Sequence, residues 1–259
     1  MKLAITGKGG VGKTTLAGLL ARAYAARRRP VLAIDADPDA NLASAVGVPA
    51  DQAASMTPIA KMKDLAKERT GAAADYGSLF ILNPQVDDLP GRFVVEHKGV
   101  RLLAMGTVEQ GGSGCVCPEH TLVRSLMKHL LVERGDVVIL DMEAGIEHLG
   151  RATAQSVDLL IVVVEPGQRS VQTARQIERL AADIGIPAIA YVASKVADDG
   201  DRAFLAAALP ADRLLGTLSF SEAIRDTDRR GRSPYDIGGL VLDEAMAIVE
   251  RLDAMFPDK

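Results

Sequence analysis

The run Gly7-Lys8-Gly9-Gly10-Val11-Gly12-Lys13-Thr14 sets four glycines ahead of a lysine and a hydroxyl. With no Cβ at 7, 9, 10 and 12, successive backbone N–H groups can turn inward on an anion. A helix starting here adds its partial positive charge. In such a loop Lys13 reaches the β- and γ-phosphates of a nucleotide, and the Thr14 hydroxyl ligates Mg²⁺. A glycine-rich turn without a ligand would not call for Lys-Thr at its end, so triphosphate binding is the first expectation. The flanks supply the context such a loop needs. Residues 2–6 form a short apolar strand, and 14–26 carry Leu16, Leu19, Leu20, Ala23 and Tyr24 at helical spacing.

A second centre of chemistry is Cys115-Val116-Cys117, inside the glycine-rich stretch 106–120. Two thiolates at that spacing can bind one soft or borderline ion, but they fill only two positions of a four-coordinate site. A tetrahedral set of four sulfurs suits Zn²⁺ and a square-planar set suits Ni²⁺. Pro118 is expected to open a helix whose apolar face is Leu122, Leu126 and Leu130. That places Cys117 at the N-cap, where the helix dipole favours a thiolate. His120 is expected to face solvent or a carboxylate. Two small core residues would be the plainer reading of the pair, but the surrounding glycines and an exposed loop argue against it.

Further strands are expected at 31–35, 92–96, 100–105, 136–141, 159–164, 187–193 and 214–218, with His97-Lys98-Gly99 as a hairpin turn. Helices are expected over 42–46, 59–67, 168–184, 222–228 and 237–256. The helix over 168–184 would point Val171, Ala174, Ile177 and Leu180 inward, and the last helix Val241, Ala245, Ile248 and Leu252. Asp39 and Asn41 suit a cap for 42–46. Repeated strand–helix alternation predicts an α/β fold with a doubly wound, mostly parallel sheet and its ligand at the carboxyl ends of the strands. Residues 1–259 are expected to form one domain, with a peripheral insertion around 49–77.

Net charge is −4 across 259 residues, so no global basic field points toward nucleic acid. Arg27-Arg28-Arg29 and Arg229-Arg230-Gly231-Arg232 read as solvated surface. Residues 240–259 hold five acids and two bases, the wrong balance for a basic membrane-binding helix. Neither a nucleic acid nor a membrane is therefore expected as partner. The apolar N-terminus enters the glycine loop at once, with no secretory pattern, and the expected location is cytoplasmic. A reducing compartment argues against a disulfide between residues two apart.

A plain phosphate loop does not require Lys8. With it, the loop resembles the deviant Walker A motif of the MinD, ParA, ArsA and nitrogenase iron protein group, P-loop NTPases of the SIMIBI class. In that group the first lysine contacts the nucleotide of the facing subunit. The resemblance therefore implies an ATP-bound homodimer, with Lys8 and Lys13 catalytic and Gly9, Gly10, Val11, Gly12, Lys13, Thr14 and Thr15 around ATP or ADP. Ala36 to Leu42 resembles switch I, in which Asp37 aligns the attacking water, and Asp35 just before it supports the Mg²⁺ hydration shell. Asp141 to Gly150 resembles Walker B and switch II. Asp141 would hold Mg²⁺ through water, and the Gly145 N–H would sense the γ-phosphate. Ser194-Lys195 stands where relatives commonly place Asn-Lys beneath the adenine, so the serine is a departure.

Asp141 to Arg151, taken together with Cys115-Val116-Cys117-Pro118-Glu119, resembles the CooC-type carbon monoxide dehydrogenase maturation ATPases. That likeness implies a metal held between two subunits by Cys115 and Cys117 of each. Ni²⁺ would be the ion, with Zn²⁺ possible at the same thiolates, and ATP hydrolysis would serve nickel insertion into apo carbon monoxide dehydrogenase. Glu147 and His148 read as switch residues without an assigned role. An iron-sulfur reductase resembling the nitrogenase iron protein is an alternative, although that group takes one cysteine from each of two loops and switch II here has none. A ParA- or MinD-type positioning ATPase is the other.

Overall fold

The computed structural model describes residues 1–38, 41–72, 81–108, 117–132, 137–146, 154 and 156–257. Among these, eight strands form one sheet in the order β3-β4-β2-β5-β1-β6-β7-β8. They are β1 (Lys2–Gly7), β2 (Val31–Ala36), β3 (Val95–His97), β4 (Val100–Ala104), β5 (Val137–Met142), β6 (Leu159–Val164), β7 (Ile189–Val196) and β8 (Leu214–Ser219). Every neighbouring pair is parallel except β3–β4. β2, β5 and β6 are buried along their whole length, as parallel strands covered on both faces must be.

Alternation along each strand separates two cores. Leu3 and Ile5 of β1 face α1 (Lys13–Ala26), α2 (Leu42–Val46) and the final helix, whereas Ala4 faces the opposite layer. That layer holds α4 (Lys63–Thr70), α6 (Pro118–Val132) and α7 (Gln168–Ile184). α3 (Ala50–Ser55) and α5 (Leu89–Phe93) are short connectors, and α8 (Asp199–Ala208), α9 (Glu222–Arg229) and α10 (Leu240–Met255) complete the set. Arg27 and Arg29, expected to be solvated, instead fix α1 to α10 through Asp253 at 2.8 and 2.9 Å. No helix among the described residues is long and apolar enough to cross a membrane.

Several expectations are corrected. The helix over 59–67 is broken at Met62 into a 3₁₀ turn (Ile59–Lys61) and α4. The segment read as peripheral sends Ile59, Leu65 and Ala66 into the core, and the Ala60 N–H donates to the Met105 carbonyl at 3.0 Å. Residues 92–96 are not one strand. Pro90 at the second position of α5 starts a helix that runs through Phe93, and β3 follows it. The Lys98-Gly99 hairpin forms as expected, with both residues left-handed at φ 46° and 79°, the signature of a two-residue primed turn. On α7 the buried stripe is Val171, Ala174, Ile177 and Ala181, and Leu180 is 40% exposed. The stripe steps by four residues at its last turn, as a 3.6-residue period permits. The last helix starts at Leu240 because Gly238 and Gly239 are both left-handed.

Gly18 lets α2 approach α1. A Cβ there would come within 2.8 Å of the Ala45 backbone. In an open helix Gly→Ala stabilises by about 1 kcal/mol. Here Gly18→Ala is expected to destabilise by about 1–3 kcal/mol through overpacking, as measured by urea unfolding, and a more stable variant would contradict this packing.

Candidate functional site

β1 ends where the glycine loop begins, and the close approach of β6 dictates its first residue. Gly7 has φ 150°, and a Cβ on it would lie 2.4 Å from the Val163 carbonyl oxygen, so only glycine fits. Gly12, at φ 101°, hands the loop to α1. Val11 is buried beneath the loop. The Lys13 ammonium lies back across the loop and donates to the Lys8 carbonyl at 3.4 Å.

A cavity of about 680 Å³ opens at the carboxyl end of the sheet, a size suited to a nucleotide. Gly9, Gly10, Gly12, Lys13, Thr14 and Thr15 line its floor, with Asp37, Glu143, Ser194 and Lys195 around them. Of the residues expected at the site, Lys8, Val11, Asp141 and Gly145 stand behind or beside this lining. Ser194 is buried, and its Oγ limits the space over Gly12 to 3.0 Å from where a Cβ would be.

Asp141 lies one residue before the end of β5, beneath the loop. It is 1% exposed, and among the described residues neither carboxylate oxygen accepts a hydrogen bond. Burial pushes its pKa up to about 7. The adjacent Thr14 hydroxyl, outside hydrogen-bond geometry, pulls it down, as does Lys13, whereas Asp35 and Asp37 push it up. Two orphaned oxygens beside a threonine hydroxyl are the donor set a hydrated Mg²⁺ requires. Asp35, expected to support the Mg²⁺ hydration shell, is engaged by backbone donors. Its Oδ1 accepts the Asp37 N–H at 3.2 Å and its Oδ2 the Leu42 N–H at 2.8 Å. The carboxylate thus caps α2 from outside and fixes the switch I loop across the cavity mouth. Burial raises its pKa to about 6 despite these donors. Asn41 holds the N-cap position without a side-chain cap bond, and Asp39 lies outside the described residues.

Gly145, expected to offer its N–H to a γ-phosphate, donates it to Thr6 Oγ1 at 3.3 Å, while the Thr6 hydroxyl lies 2.7 Å from the Gly145 carbonyl and 3.2 Å from that of Glu143. The switch II loop is thereby tied to the end of β1. Glu147 and His148 lie outside the described residues.

Lys195, expected beneath a base, has φ 57° and donates to the Gly10 carbonyl on the phosphate loop. It also pairs with Glu165 at 3.4 Å, and the same carboxylate takes Lys8 at 3.2 Å. The sequence reading passed over Glu165. Its signal was available: like Asp35 and Asp141, it is an acid at the carboxyl end of a parallel strand, where ligands bind.

The far wall of the cavity includes Phe220, Ile224, Arg225, Arg232 and Pro234. Arg232, read as solvated surface, therefore faces the cavity. This wall is anchored at both ends. Ser219 donates its N–H and hydroxyl to Glu244 at 2.7 and 2.6 Å. Ser233 Oγ donates to the Ala45 carbonyl at 2.7 Å, and Arg22 joins the Val46 carbonyl to Asp236, each at 2.8 Å.

Cys115 lies outside the described residues. Cys117 is half-buried immediately before α6, and its Sγ accepts the His120 N–H at 3.4 Å. The expected thiolate preference does not survive: burial raises the thiol pKa more than the His120 N–H lowers it. His120 itself is exposed, as expected. Among the described residues, no three His, Cys, Asp or Glu side chains converge as a metal-binding group.

A family model, the CobQ/CobB/MinD/ParA nucleotide binding domain, matches residues 2–235. The carbon monoxide dehydrogenase accessory protein CooC of Rhodospirillum rubrum is 54% identical over 252 residues, covering 97% of this chain and 96% of its own. An ATP-binding protein of Methanocaldococcus jannaschii is 42% identical over 236 residues, 90% of each chain. Among solved structures, a plasmid partition protein of Borrelia burgdorferi bound to AMPPNP superposes with a TM-score of 0.72 at 18% identity, covering 98% of both chains. The MinD protein of Pyrococcus horikoshii with Mg-ADP gives 0.66 at 17% identity, covering 98% of this chain and 96% of its own. At those identities the likeness to the solved structures is one of fold.

The raised carboxyls set a pH dependence. The folded chain holds protons on Asp141 and Asp35 that the unfolded chain releases near pH 4. Their stabilising share is therefore full below that pH and is lost as pH rises through about 6 to 7. Without nucleotide, Asp141→Asn is expected to raise stability at pH 8 by about 2 kcal/mol and leave it nearly unchanged at pH 4. Denaturant unfolding at the two pH values checks this, and an equal change at both would contradict it.

Proposed function

Because the chain belongs to the CobQ/CobB/MinD/ParA nucleotide-binding family, and within it to the CooC branch, we propose that it is an ATPase that serves nickel insertion into carbon monoxide dehydrogenase as a homodimer. The observation that carries the nucleotide half is the buried, unpartnered Asp141 carboxylate beneath a cavity floored by Lys13 and Thr14. Thr14 and Asp141 would hold Mg²⁺, which supplies charge to the β- and γ-phosphate oxygens. Lys13 would leave the Lys8 carbonyl for those same oxygens. Asp37, on the cavity wall opposite, would align the water that attacks the γ-phosphorus, and its carboxylate would accept a hydrogen bond from that water. For the Gly145 N–H to reach the γ-phosphate it must leave Thr6, so ATP would draw switch II away from β1 and hydrolysis would let it return. Lys8 would cross to the nucleotide of the partner subunit, and Lys195 would keep its place beside the loop and the base.

The metal half of the proposal rests on the likeness to the Rhodospirillum rubrum accessory protein and on the Cys115–Cys117 spacing. One chain supplies two thiolates. Two chains facing each other across a two-fold axis would supply four, with Ni²⁺ as cargo and Zn²⁺ able to occupy the same sulfurs. If closure of the dimer assembles this set, ATP and metal must raise one another's affinity by the same factor. Apo carbon monoxide dehydrogenase is the proposed recipient, and the cytoplasm is the proposed location.

Anaerobic titration of the apo protein with Ni²⁺, read by absorbance and light scattering, is expected to saturate at one nickel per two chains with a sulfur-to-nickel band. Cys115→Ser and Cys117→Ser should each abolish that band, and nickel binding that is indifferent to both cysteines would defeat the shared site. For Asp37→Ala, nucleotide affinity should stay within a few-fold while phosphate release falls by about 100-fold or more. Undiminished turnover would remove Asp37 from its role.

A further inference from the structure

Among the described residues, Glu165 contacts both Lys8 of the phosphate loop and Lys195 beside it, and nothing in the proposed reaction uses it. It follows β6, and β6 lies beside β1 with Gly7 opposite Val163. Two residues beyond that register point, Glu165 therefore stands beside Lys8. Its backbone N–H donates to Ser170 Oγ at 3.1 Å, at the start of α7, which orients the residue. Its Oε1 takes Lys8 Nζ at 3.2 Å and its Oε2 takes Lys195 Nζ at 3.4 Å. Among the described residues Lys8 Nζ has this single partner, whereas Lys195 also donates to the Gly10 carbonyl. The Lys8 side chain is 37% exposed, at the rim rather than inside the cavity.

We propose that Glu165 is a positioning residue that holds Lys8 on its own chain before the dimer closes and releases it to the partner's nucleotide on closure. This rests on the reading above that Lys8 acts across the dimer. The asymmetry of the cluster decides which lysine leaves. Two ammonium groups share one carboxylate, so departure of Lys8 leaves Glu165 and Lys195 as a matched pair, and no carboxylate is stranded without a counter-ion. Lys195 is held a second time by the loop it supports, and Lys8 is not. A facing triphosphate must outcompete Glu165 for the ammonium, so closure favours chains loaded with a highly charged nucleotide. Because the pair is partly exposed, the bias is several-fold rather than absolute.

The test uses the full chain and Glu165→Gln, which keeps the shape and removes the charge. Glu165→Asp, one methylene shorter, is expected to act in the same direction and serves if the first variant does not fold. In the nucleotide-free protein, acylation of Lys8 by a limiting amine-reactive ester, quantified by mass spectrometry against exposed Lys61, should be several-fold faster in the variant. With AMPPNP and Mg²⁺, sedimentation should show dimer at about three- to tenfold lower protein concentration. Unchanged acylation, or a dimer no easier to form in a folded variant, overturns the proposal. Lys8→Ala separates the two readings. If it dimerises as the wild type does, the trans role of Lys8 fails and release fails with it. If it does not dimerise while Glu165→Gln behaves as wild type, the holding role of Glu165 alone fails.

Discussion

Three adjacent parallel strands, β5, β1 and β6, end at nearly the same level, and the chemistry of the molecule depends on that alignment. Ile5 pairs with Asp141 and Gly7 with Val163. The turn out of β1 therefore passes directly over a buried carboxylate on one side and against a backbone carbonyl on the other. The first neighbour leaves room for a cation. The second leaves no room for a side chain, so Gly7 is required by the sheet as much as by any ligand. Shifting β1 by a single residue would turn its alternating side chains to the wrong layers and separate the loop from Asp141.

Two carboxylates buried at the carboxyl end of the sheet are costly to keep ionised in the empty protein. The two are treated differently. Asp35 is compensated by backbone donors and becomes a clamp on switch I. Asp141 is compensated only in part by Thr14 and Lys13, and its burial raises its pKa. A site that is strained toward protonation when empty gains most from an incoming positive charge, which couples metal binding to stability. Thr6 adds a third tie, holding switch II by hydrogen bonds that a ligand can exchange.

The phosphate loop, the parallel strands and most helix faces were legible in the sequence because each is a local pattern: glycines at fixed offsets, β-branched runs, apolar residues at helical spacing. The errors arose where tertiary packing outweighed local pattern. Leu180 fits an inward stripe as well as Ala181 does, and only the position of the neighbouring strands selects between them. Residues 92–96 have strand composition, yet Pro90 favours a helical start upstream. Cys117 was placed correctly at the head of α6, but its ionisation depends on burial, which the spacing does not reveal. Glu165 is marked in the sequence only as an acid at a strand's carboxyl end, and its two lysine partners, like the contact of Thr6 with Gly145 139 positions away, come from the fold.

The wall from Ser219 to Ser233 is attached to the rest of the molecule at its two ends, to Glu244 of α10 and to the Ala45 carbonyl of α2. Between those moorings Phe220, Arg225 and Arg232 face the cavity, while Ile224 lines it and also packs on the core shared with α1. Substitutions along that wall would change the shape and charge of the cavity's far side. The triphosphate machinery, built from β1, β2 and β5, would be inherited intact. The cavity's floor and its far wall are thus built from separate parts of the chain, free to vary independently.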